Sequence, residues 1–163
     1  MLLDVIVPTF KPGFYIDDLI ASLNAQICDK KLFKVTFVLN GSELFYLENL
    51  DSKLSKCSFE YKLFFLSEAG VSNARNYALD HTDFPYVFFV DDDDVISENI
   101  FRDFFNVIHQ NPGNLKNIIF LSNVYSFYND PNEKIPEYLT LASSLSTQNI
   151  FLFRKFLSNA CSK

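Results

Sequence analysis

The 163-residue chain lacks tryptophan altogether and contains only three cysteines, four glycines and one methionine. Cys28, Cys57 and Cys161 are scattered, odd in number and without the spacing of metal ligands. The sequence therefore predicts neither a disulfide framework nor a cysteine-based metal site, which favours a reduced, cytoplasmic setting. No apolar run is long enough to span a bilayer, and the amino terminus enters a strand pattern directly, without the pattern of a signal peptide.

Basic charge is also scarce. Fourteen lysines and arginines face 20 acids, which gives a net charge of −6. No basic stripe is present to neutralise a phosphate backbone, and this argues against a nucleic-acid partner. The chain contains neither a G-x-G-x-x-G nor a Walker pattern, which weakens a dinucleotide-binding or nucleoside-triphosphatase function. A small anionic ligand would need local help from a metal ion, an arginine or a helix N-terminus.

Hydrophobic residues, by contrast, are plentiful. They make up 48% of the chain, 19 of them are phenylalanine, and the length suits one domain with a sizeable core. Strand patterns cover residues 2–7, 32–39, 59–66, 86–90 and 117–125, and helix patterns cover 14–27, 43–54, 71–80 and 97–108. This alternation predicts an α/β fold with a mostly parallel central sheet flanked by helices and joined by right-handed crossovers.

The sequence is organised around residues 86–94, where five apolar residues lead into four consecutive aspartates. The apolar run predicts a strand buried on both faces, and the acids then fall at its carboxyl end, where open α/β sheets bind ligands. One interpretation is a solvated acidic turn before a helix capped by Ser97. The other is a divalent cation that in turn holds an anion such as a phosphate. If strand geometry continues, Asp91 and Asp93 lie on one side and converge.

Three further motifs are expected on the same edge of the sheet: V-P-T-F at 7–10, V-L-N-G-S at 38–42 and G-V-S-N-A-R-N at 70–76. With the acids they resemble the nucleotide-sugar-binding half of family 2 glycosyltransferases with the Rossmann-like GT-A fold. That family carries V-I-V-P-T-Y-N, V-D-D-G-S, G-x-x-x-A-R-N and D-x-D-D in the same order. Each motif is weak alone, but the four together cover residues 1 to about 125. The resemblance implies an inverting, metal-dependent glycosyltransferase that uses a nucleotide-sugar donor.

The resemblance also assigns roles to charged residues. Asp91 would contact the ribose or nucleotide and, together with Asp93, hold Mn²⁺ or Mg²⁺ on the diphosphate. Asp94 matches the acid that follows. Arg75 would reach the nucleotide, although an arginine in a helix can equally form an ordinary surface salt bridge. We count Asp92 among the candidate nucleotide-binding residues. It stands where the family often has serine, and we therefore expect its side chain to be exposed and replaceable.

The remaining candidates for nucleotide binding are Pro8, Thr9, Phe10 and Asn40. The resemblance implies that Phe10 stacks on the base, whereas a loop phenylalanine packed on the core is the alternative. The hydroxyl of Thr9 would contact the base or ribose, or merely stabilise the turn. Asn40 replaces an acid that accepts the uracil N3–H, and it keeps a carbonyl acceptor without the charge. Because Leu39 replaces the neighbouring acid as well, UDP is only the first expectation for the nucleotide.

The general base of an inverting reaction is not identifiable. In the family this role belongs to an acid that deprotonates the acceptor hydroxyl. Residues 147–157 resemble the family segment that precedes this acid, and the chain ends before such an acid appears. We therefore expect one domain over residues 1–163, apparently truncated, with an acceptor side that is incomplete after about residue 130. The resemblance implies a growing glycan or a lipid-linked sugar as acceptor, the latter with peripheral association at the inner face of the membrane.

Two other functions remain open. The first is a catalytically incomplete module that binds a nucleotide-sugar without transferring the sugar. The second is a response-regulator-like domain that uses its aspartates for Mg²⁺ and phosphoryl acceptance. The sequence contains no phosphoacceptor pattern, and the match of four motifs in order further disfavours that second function.

Overall fold

The computed structural model describes residues 2–41 and 43–110, together with the backbone of two short strands at 126–127 and 134–135. Four parallel strands form the central sheet in the order β3-β2-β1-β4. They are β1 (Leu3–Thr9), β2 (Phe33–Asn40), β3 (Glu60–Leu66) and β4 (Tyr86–Phe89). The predicted parallel α/β architecture is confirmed, and β1 lies inside the sheet between β2 and β4.

Four helices connect or follow these strands. They are α1 (Tyr15–Asn24), α2 (Leu44–Leu54), α3 (Val71–Asp80) and α4 (Ile100–Gln110), and one turn of 3-10 helix covers Lys30–Leu32. The short strands β5 (Ser126–Phe127) and β6 (Lys134–Ile135) pair antiparallel. The strand predicted at 117–125 and the pattern at 147–157 lie outside the described residues. No helix in the described part of the chain is long and apolar enough to cross a membrane.

Strand β1 runs two residues further than its sequence pattern predicts, through Pro8 to Thr9. The Ile6 carbonyl accepts from the Val90 amide at 3.2 Å, so alternate residues of β1 point their backbone groups toward β4. Pro8 faces the same side, but the pairing of β1 with β4 ends at Ile6 and Phe89. The missing amide of Pro8 therefore breaks no hydrogen bond of the sheet, and the strand continues.

The two faces of the sheet bury different kinds of side chain. One face packs large residues of β1, β2 and β4 against α1, α2 and α4, and its core includes Leu3, Val5, Phe33, Phe37, Phe101 and Phe104. The other face packs Ile6, Val38 and Val87 against Ala74 and Ala78 of α3. Small residues let α3 lie close to the sheet. This close packing sets the start of α3 beside the carboxyl ends of the strands.

A buried ion pair lies beneath α3, toward the opposite end of the strands. Asp4 and Lys34 are register neighbours on β1 and β2. Lys34 Nζ is 3.1 Å from Asp4 Oδ2, without hydrogen-bond geometry, while Thr36 donates to Asp4 Oδ1 at 2.7 Å. The Lys34 ammonium also lies 4.4 Å from the ring centroid of Phe84. Because removing one member of such a pair leaves a buried charge, the pair favours this register of β1 against β2.

Helix α4 begins later than predicted. Its first backbone bond runs from the Asp103 amide to the Asn99 carbonyl at 2.9 Å. The Ser97 carbonyl accepts from the Ile100 amide at 3.1 Å, in a turn that precedes the helix, and from the side-chain amide of Gln26 at 2.8 Å. The predicted cap at Ser97 is therefore wrong, because residues 97–99 form a turn before the helix that is bonded to Gln26 and Ile27, just after α1, and Asn99 is the residue that precedes the first helical turn.

Candidate functional site

A cleft of about 400 Å³ opens at the carboxyl ends of the strands, beside the start of α3. Strand β1 has its sequence successor β2 on one side and β4 on the other, which makes this edge a topological switch point. Each of the four sequence motifs contributes to the lining, which consists of Pro8, Phe10, Asn40, Ala69, Gly70, Val71, Asp91, Asp92 and Asp93. Most of the lining residues therefore belong to the motifs identified in the sequence.

Two glycines allow the loops beside the cleft to approach each other. Gly41 has a φ of +61°, and a Cβ placed there would lie 2.4 Å from the Cβ of Ala69. Gly70 has a φ of +149°, directly before α3. Both positions need a residue without a side chain. The wall formed by residues 69–71 was missed as a binding surface, although the glycine of the third motif was a signal for it.

Asn40, at the end of β2, connects the end of β1 to the loop before α3. Its side chain is buried, with 3% of the residue exposed. The amide nitrogen donates to the Thr9 carbonyl at 2.8 Å, and the amide oxygen accepts from the Gly70 backbone at 2.8 Å. Both ends of the amide are therefore engaged within the protein. Asn40 reaches the cleft as predicted, but its contact with a nucleobase stays a prediction.

Neighbouring residues of the first motif have opposite environments. Thr9 is fully buried, does not line the cleft, and donates its hydroxyl to the Val7 carbonyl at 3.3 Å. In this structure its hydroxyl stabilises the strand end, and the expected contact with a base or ribose is not available to it. Phe10 is 51% exposed and lines the cleft, so core packing of its ring is excluded. Pro8 lines the cleft as well.

The four aspartates form a turn and not an extension of β4. The strand ends at Phe89, and the Asp94 amide donates to the Asp91 carbonyl at 3.1 Å. The expected convergence of Asp91 and Asp93 through strand alternation is therefore wrong, because the turn removes that alternation. The turn nevertheless presents three successive carboxylates, Asp91 to Asp93, to one cleft.

Asp92 is the most enclosed acid of the turn. It is half-buried, whereas Asp91, Asp93 and Asp94 are exposed. Its pKa is raised to about 6, chiefly by burial and also by the charges of Asp93 and Asp91, while a hydrogen bond from the Phe10 amide opposes the rise. The expectation that Asp92 is exposed is wrong, because its carboxylate accepts from the loop after β1. The residue thus links two parts of the cleft wall.

Arg75 pairs with the acidic turn. Its Nη2 lies 2.5 Å from Asp91 Oδ1, with 34% and 52% of the two side chains exposed. The guanidinium carbon lies 5.8 Å from the ring centroid of Phe89. The Nε atom is buried and has no hydrogen-bond partner. Arg75 therefore forms a salt bridge, as the alternative expectation had it, and its partner is an acid of the cleft.

A resident metal ion would find two exposed carboxylates here. Within the described ranges, no group of three or more histidine, cysteine, aspartate or glutamate side chains could hold a metal ion. Hard cations such as Mg²⁺ use one or two carboxylates, with water and substrate phosphates completing the shell. Asp91 and Asp93 fit that donor set, because both are exposed and both line the cleft. Their metal-binding role stays a prediction.

Comparison with known proteins identifies similar sequences and folds. The model of glycosyl transferase family 2 matches residues 4–158. A poly(ribitol-phosphate) β-N-acetylglucosaminyltransferase, TarS of Staphylococcus aureus strains Mu50 and MW2, is 31% identical over 103 residues. That match covers 63% of this chain and 18% of the relative, so the chain spans less than a fifth of the length of these curated proteins.

Solved structures of glycosyltransferases share the fold of this chain. The crystal structure of S. aureus TarS 1-349 in complex with UDP-GlcNAc has a TM-score of 0.60 and 31% identity, covering 68% of this chain and 32% of that one. The mannosyltransferase PcManGT from Pyrobaculum calidifontis, solved with GDP-Man and Mn²⁺, has a TM-score of 0.63 over 76% of this chain and 35% of its own. At 19% identity the second similarity concerns the fold alone. The predicted GT-A fold is confirmed.

Proposed function

Because this chain belongs to glycosyl transferase family 2, we propose that it forms the donor-binding part of an enzyme that transfers a sugar from a nucleotide-sugar to an acceptor hydroxyl. The observation that carries the proposal is the cleft at the switch point of the sheet. There an exposed aromatic ring, a helix arginine paired with a cleft acid, and three carboxylates come together from separate motifs. Such a set offers partners for a base, a diphosphate and a cation.

A UDP-sugar is the donor we propose. The ring of Phe10 is exposed enough to stack on a base, and Asn40 lines the same cleft. Arg75 and the start of α3 supply positive charge for the diphosphate. The TarS structures with UDP and UDP-GlcNAc, at 31% identity, support this choice of nucleotide.

We further propose Mn²⁺ or Mg²⁺ as cofactor, held by Asp91 and Asp93. Bound there, the ion neutralises charge on the departing nucleoside diphosphate. The turn closed by Asp94 holds the two carboxylates at the cleft mouth, and Asp92 fixes the turn to the loop that carries Phe10. The Mn²⁺ in the mannosyltransferase structure supports a divalent ion in this fold.

The acceptor in this proposal is a growing glycan or a lipid-linked sugar, used on the cytoplasmic side and, for a lipid-linked acceptor, at the inner membrane face. An inverting reaction also requires an acid that deprotonates the acceptor hydroxyl. The cleft acids of the described region all belong to the turn assigned to donor and metal. This observation favours a second candidate function, a module that binds the nucleotide-sugar without transferring the sugar.

Calorimetry with UDP tests the donor site. We expect UDP to bind in the presence of Mn²⁺ and much more weakly without it. Asp93→Asn should abolish the metal-dependent part, whereas Asp83→Asn, an exposed acid before β4 and away from the cleft, should keep it. The proposal would be contradicted if UDP bound equally well with and without Mn²⁺. It would also be contradicted if Asp93→Asn and Asp83→Asn bound UDP with the same affinity. Release of sugar from a UDP-sugar, measured with and without glycan acceptors, then separates the transferase from the binding module.

A further inference from the structure

The ion pair between Arg75 and Asp91 engages Oδ1 of a carboxylate that the proposed cation would also use. We propose that Arg75 is a resident counter-ion of the acidic turn, which must release Asp91 when a divalent cation binds and then turns to the diphosphate. This inference rests on the proposed function, and it assigns Arg75 a role in coupling the two ligands. It predicts that Mn²⁺ and nucleotide each bind more weakly alone than their direct contacts would allow.

The charge distribution explains why Arg75 occupies this position in the absence of ligands. Residues 91–94 are four adjacent acids, and Arg75 brings a positive charge against the first of them at 2.5 Å. A dication on the same carboxylate would repel the guanidinium at close range. Cation binding and the ion pair therefore compete for Asp91.

The surroundings of Arg75 make the exchange feasible. The pair is partly exposed, and pairs of this kind are weak. The guanidinium also rests near the ring of Phe89, and its Nε is buried without a partner, so the arrangement leaves one donor unused. A diphosphate could engage two donors of the guanidinium fork at once. Movement of Arg75 from Asp91 to a diphosphate would satisfy the side chain better than its present position.

The thermodynamic consequence is coupling. Mn²⁺ alone must disrupt the ion pair, and so must a nucleotide that recruits Arg75, but when both bind the disruption occurs once. Each ligand therefore increases the binding affinity of the other through Arg75, in addition to any direct contact between metal and phosphate. The effect is the same in both directions. Removing the guanidinium should tighten the binding of Mn²⁺ alone and reduce the coupling between Mn²⁺ and UDP by a similar factor.

Electron paramagnetic resonance of free Mn²⁺ measures this directly, without any enzymatic turnover. Compared with the wild type, we expect Arg75→Met to bind Mn²⁺ alone about three- to tenfold more tightly. Arg102→Met is the matched control, because it removes the same charge and an exposed ion pair, here with Asp103 at 3.0 Å. It should leave the Mn²⁺ affinity close to that of the wild type. Thermal unfolding without ligand establishes that each variant is folded.

A double-mutant cycle isolates the contact. In an Asp91→Asn background, Arg75→Met should no longer tighten the residual Mn²⁺ binding. If Arg75→Met still tightens Mn²⁺ binding in the Asp91→Asn background, the effect is general charge repulsion. If Arg75→Met alone leaves Mn²⁺ binding unchanged or weakens it, Arg75 positions Asp91 for the metal. Either result overturns the inference. If the wild type binds UDP in a Mn²⁺-dependent manner while these tests fail, only this inference is lost. If no variant binds Mn²⁺ or UDP, the proposed function is lost with it.

Discussion

Replacement of Asn40 by aspartate tests how the cleft is built. The side chain donates to the Thr9 carbonyl and accepts from the Gly70 amide, both at 2.8 Å, and 3% of the residue is exposed. A carboxylate keeps the acceptor toward Gly70 but places a second oxygen against the Thr9 carbonyl. The substitution therefore removes the donor to the Thr9 carbonyl and to the Val38 carbonyl at 3.4 Å, and it buries a charge against the Thr9 carbonyl.

These effects differ in sign and size. The lost hydrogen bonds and the repulsion between the new carboxylate and the Thr9 carbonyl together cost about 2–4 kcal/mol, and the buried charge adds to this cost. A stronger bond from the Gly70 amide to an ionised acceptor offsets about 1 kcal/mol. We expect Asn40→Asp to lower the free energy of unfolding by about 2–4 kcal/mol near neutral pH.

The penalty should depend on pH in a defined direction. Burial and the facing carbonyl raise the pKa of the introduced carboxyl above its unfolded value of about 3.9. The folded variant then holds the proton that the unfolded chain loses, so stability falls as pH rises from the unfolded pKa through the folded one. Below that window the protonated carboxyl can donate to Thr9, and most of the penalty should disappear.

Urea unfolding of the wild type, Asn40→Asp and Asn49→Asp between pH 4 and pH 8 provides the measurement. Asn49 is an exposed residue of α2, so its substitution makes the same chemical change in water. We expect the control to follow the wild type within about 0.5 kcal/mol. Asn40→Asp with wild-type stability at pH 8, or with a penalty that is constant across pH, would refute the role assigned to this amide.

Two further predictions concern the loops around the cleft. Gly41→Ala should cost about 2–4 kcal/mol in thermal unfolding, because the φ of +61° and the 2.4 Å approach to Ala69 both oppose a Cβ. Gly13→Ala, with nothing within 4 Å of the new atom, is its control, and equal effects would contradict the packing argument. Because the pKa of Asp92 is raised to about 6 in the fold, its ionisation should destabilise the ligand-free chain progressively between about pH 4 and pH 6. Asp92→Asn should remove that decline and raise the free energy of unfolding at pH 7 by about 1 kcal/mol, allowing for partial exposure of the side chain. Parallel curves of stability against pH for the two proteins would show that ionisation of Asp92 does not destabilise the fold.

The fold was largely predictable because it depends on periodic patterns. Helix α3 has the predicted bounds, Val71–Asp80, and the first three strands were placed within two residues at either end. Local turns were not predictable in the same way. Whether residues 91–94 extend a strand or close a turn depends on one backbone hydrogen bond, from Asp94 to Asp91, and four identical side chains carry no periodic signal for it.

The environments of individual site residues were harder to predict than their presence at the cleft. Thr9 and Phe10 are adjacent, yet one is fully buried and the other is 51% exposed, because β1 ends between them. The predicted strand ended at Val7, before Pro8, so Thr9 and Phe10 fell in the same predicted loop and their roles could not be separated. Asn40 was expected to face a ligand, but its hydrogen bonds show that it also holds the Gly70 loop. Such double use of a side chain appears only when the neighbouring strands are placed.

The acidic turn is held from two sides, and this arrangement gives Asp91 and Asp92 different partners. On one side Asp92 accepts from the Phe10 amide, and on the other Asp91 accepts from Arg75 of α3. A ligand that stacks on Phe10 and a cation that displaces Arg75 would therefore act on the same short turn. Substitution of Asp92 should consequently affect base binding through Phe10 more than metal binding, whereas substitution of Asp91 should affect the metal first.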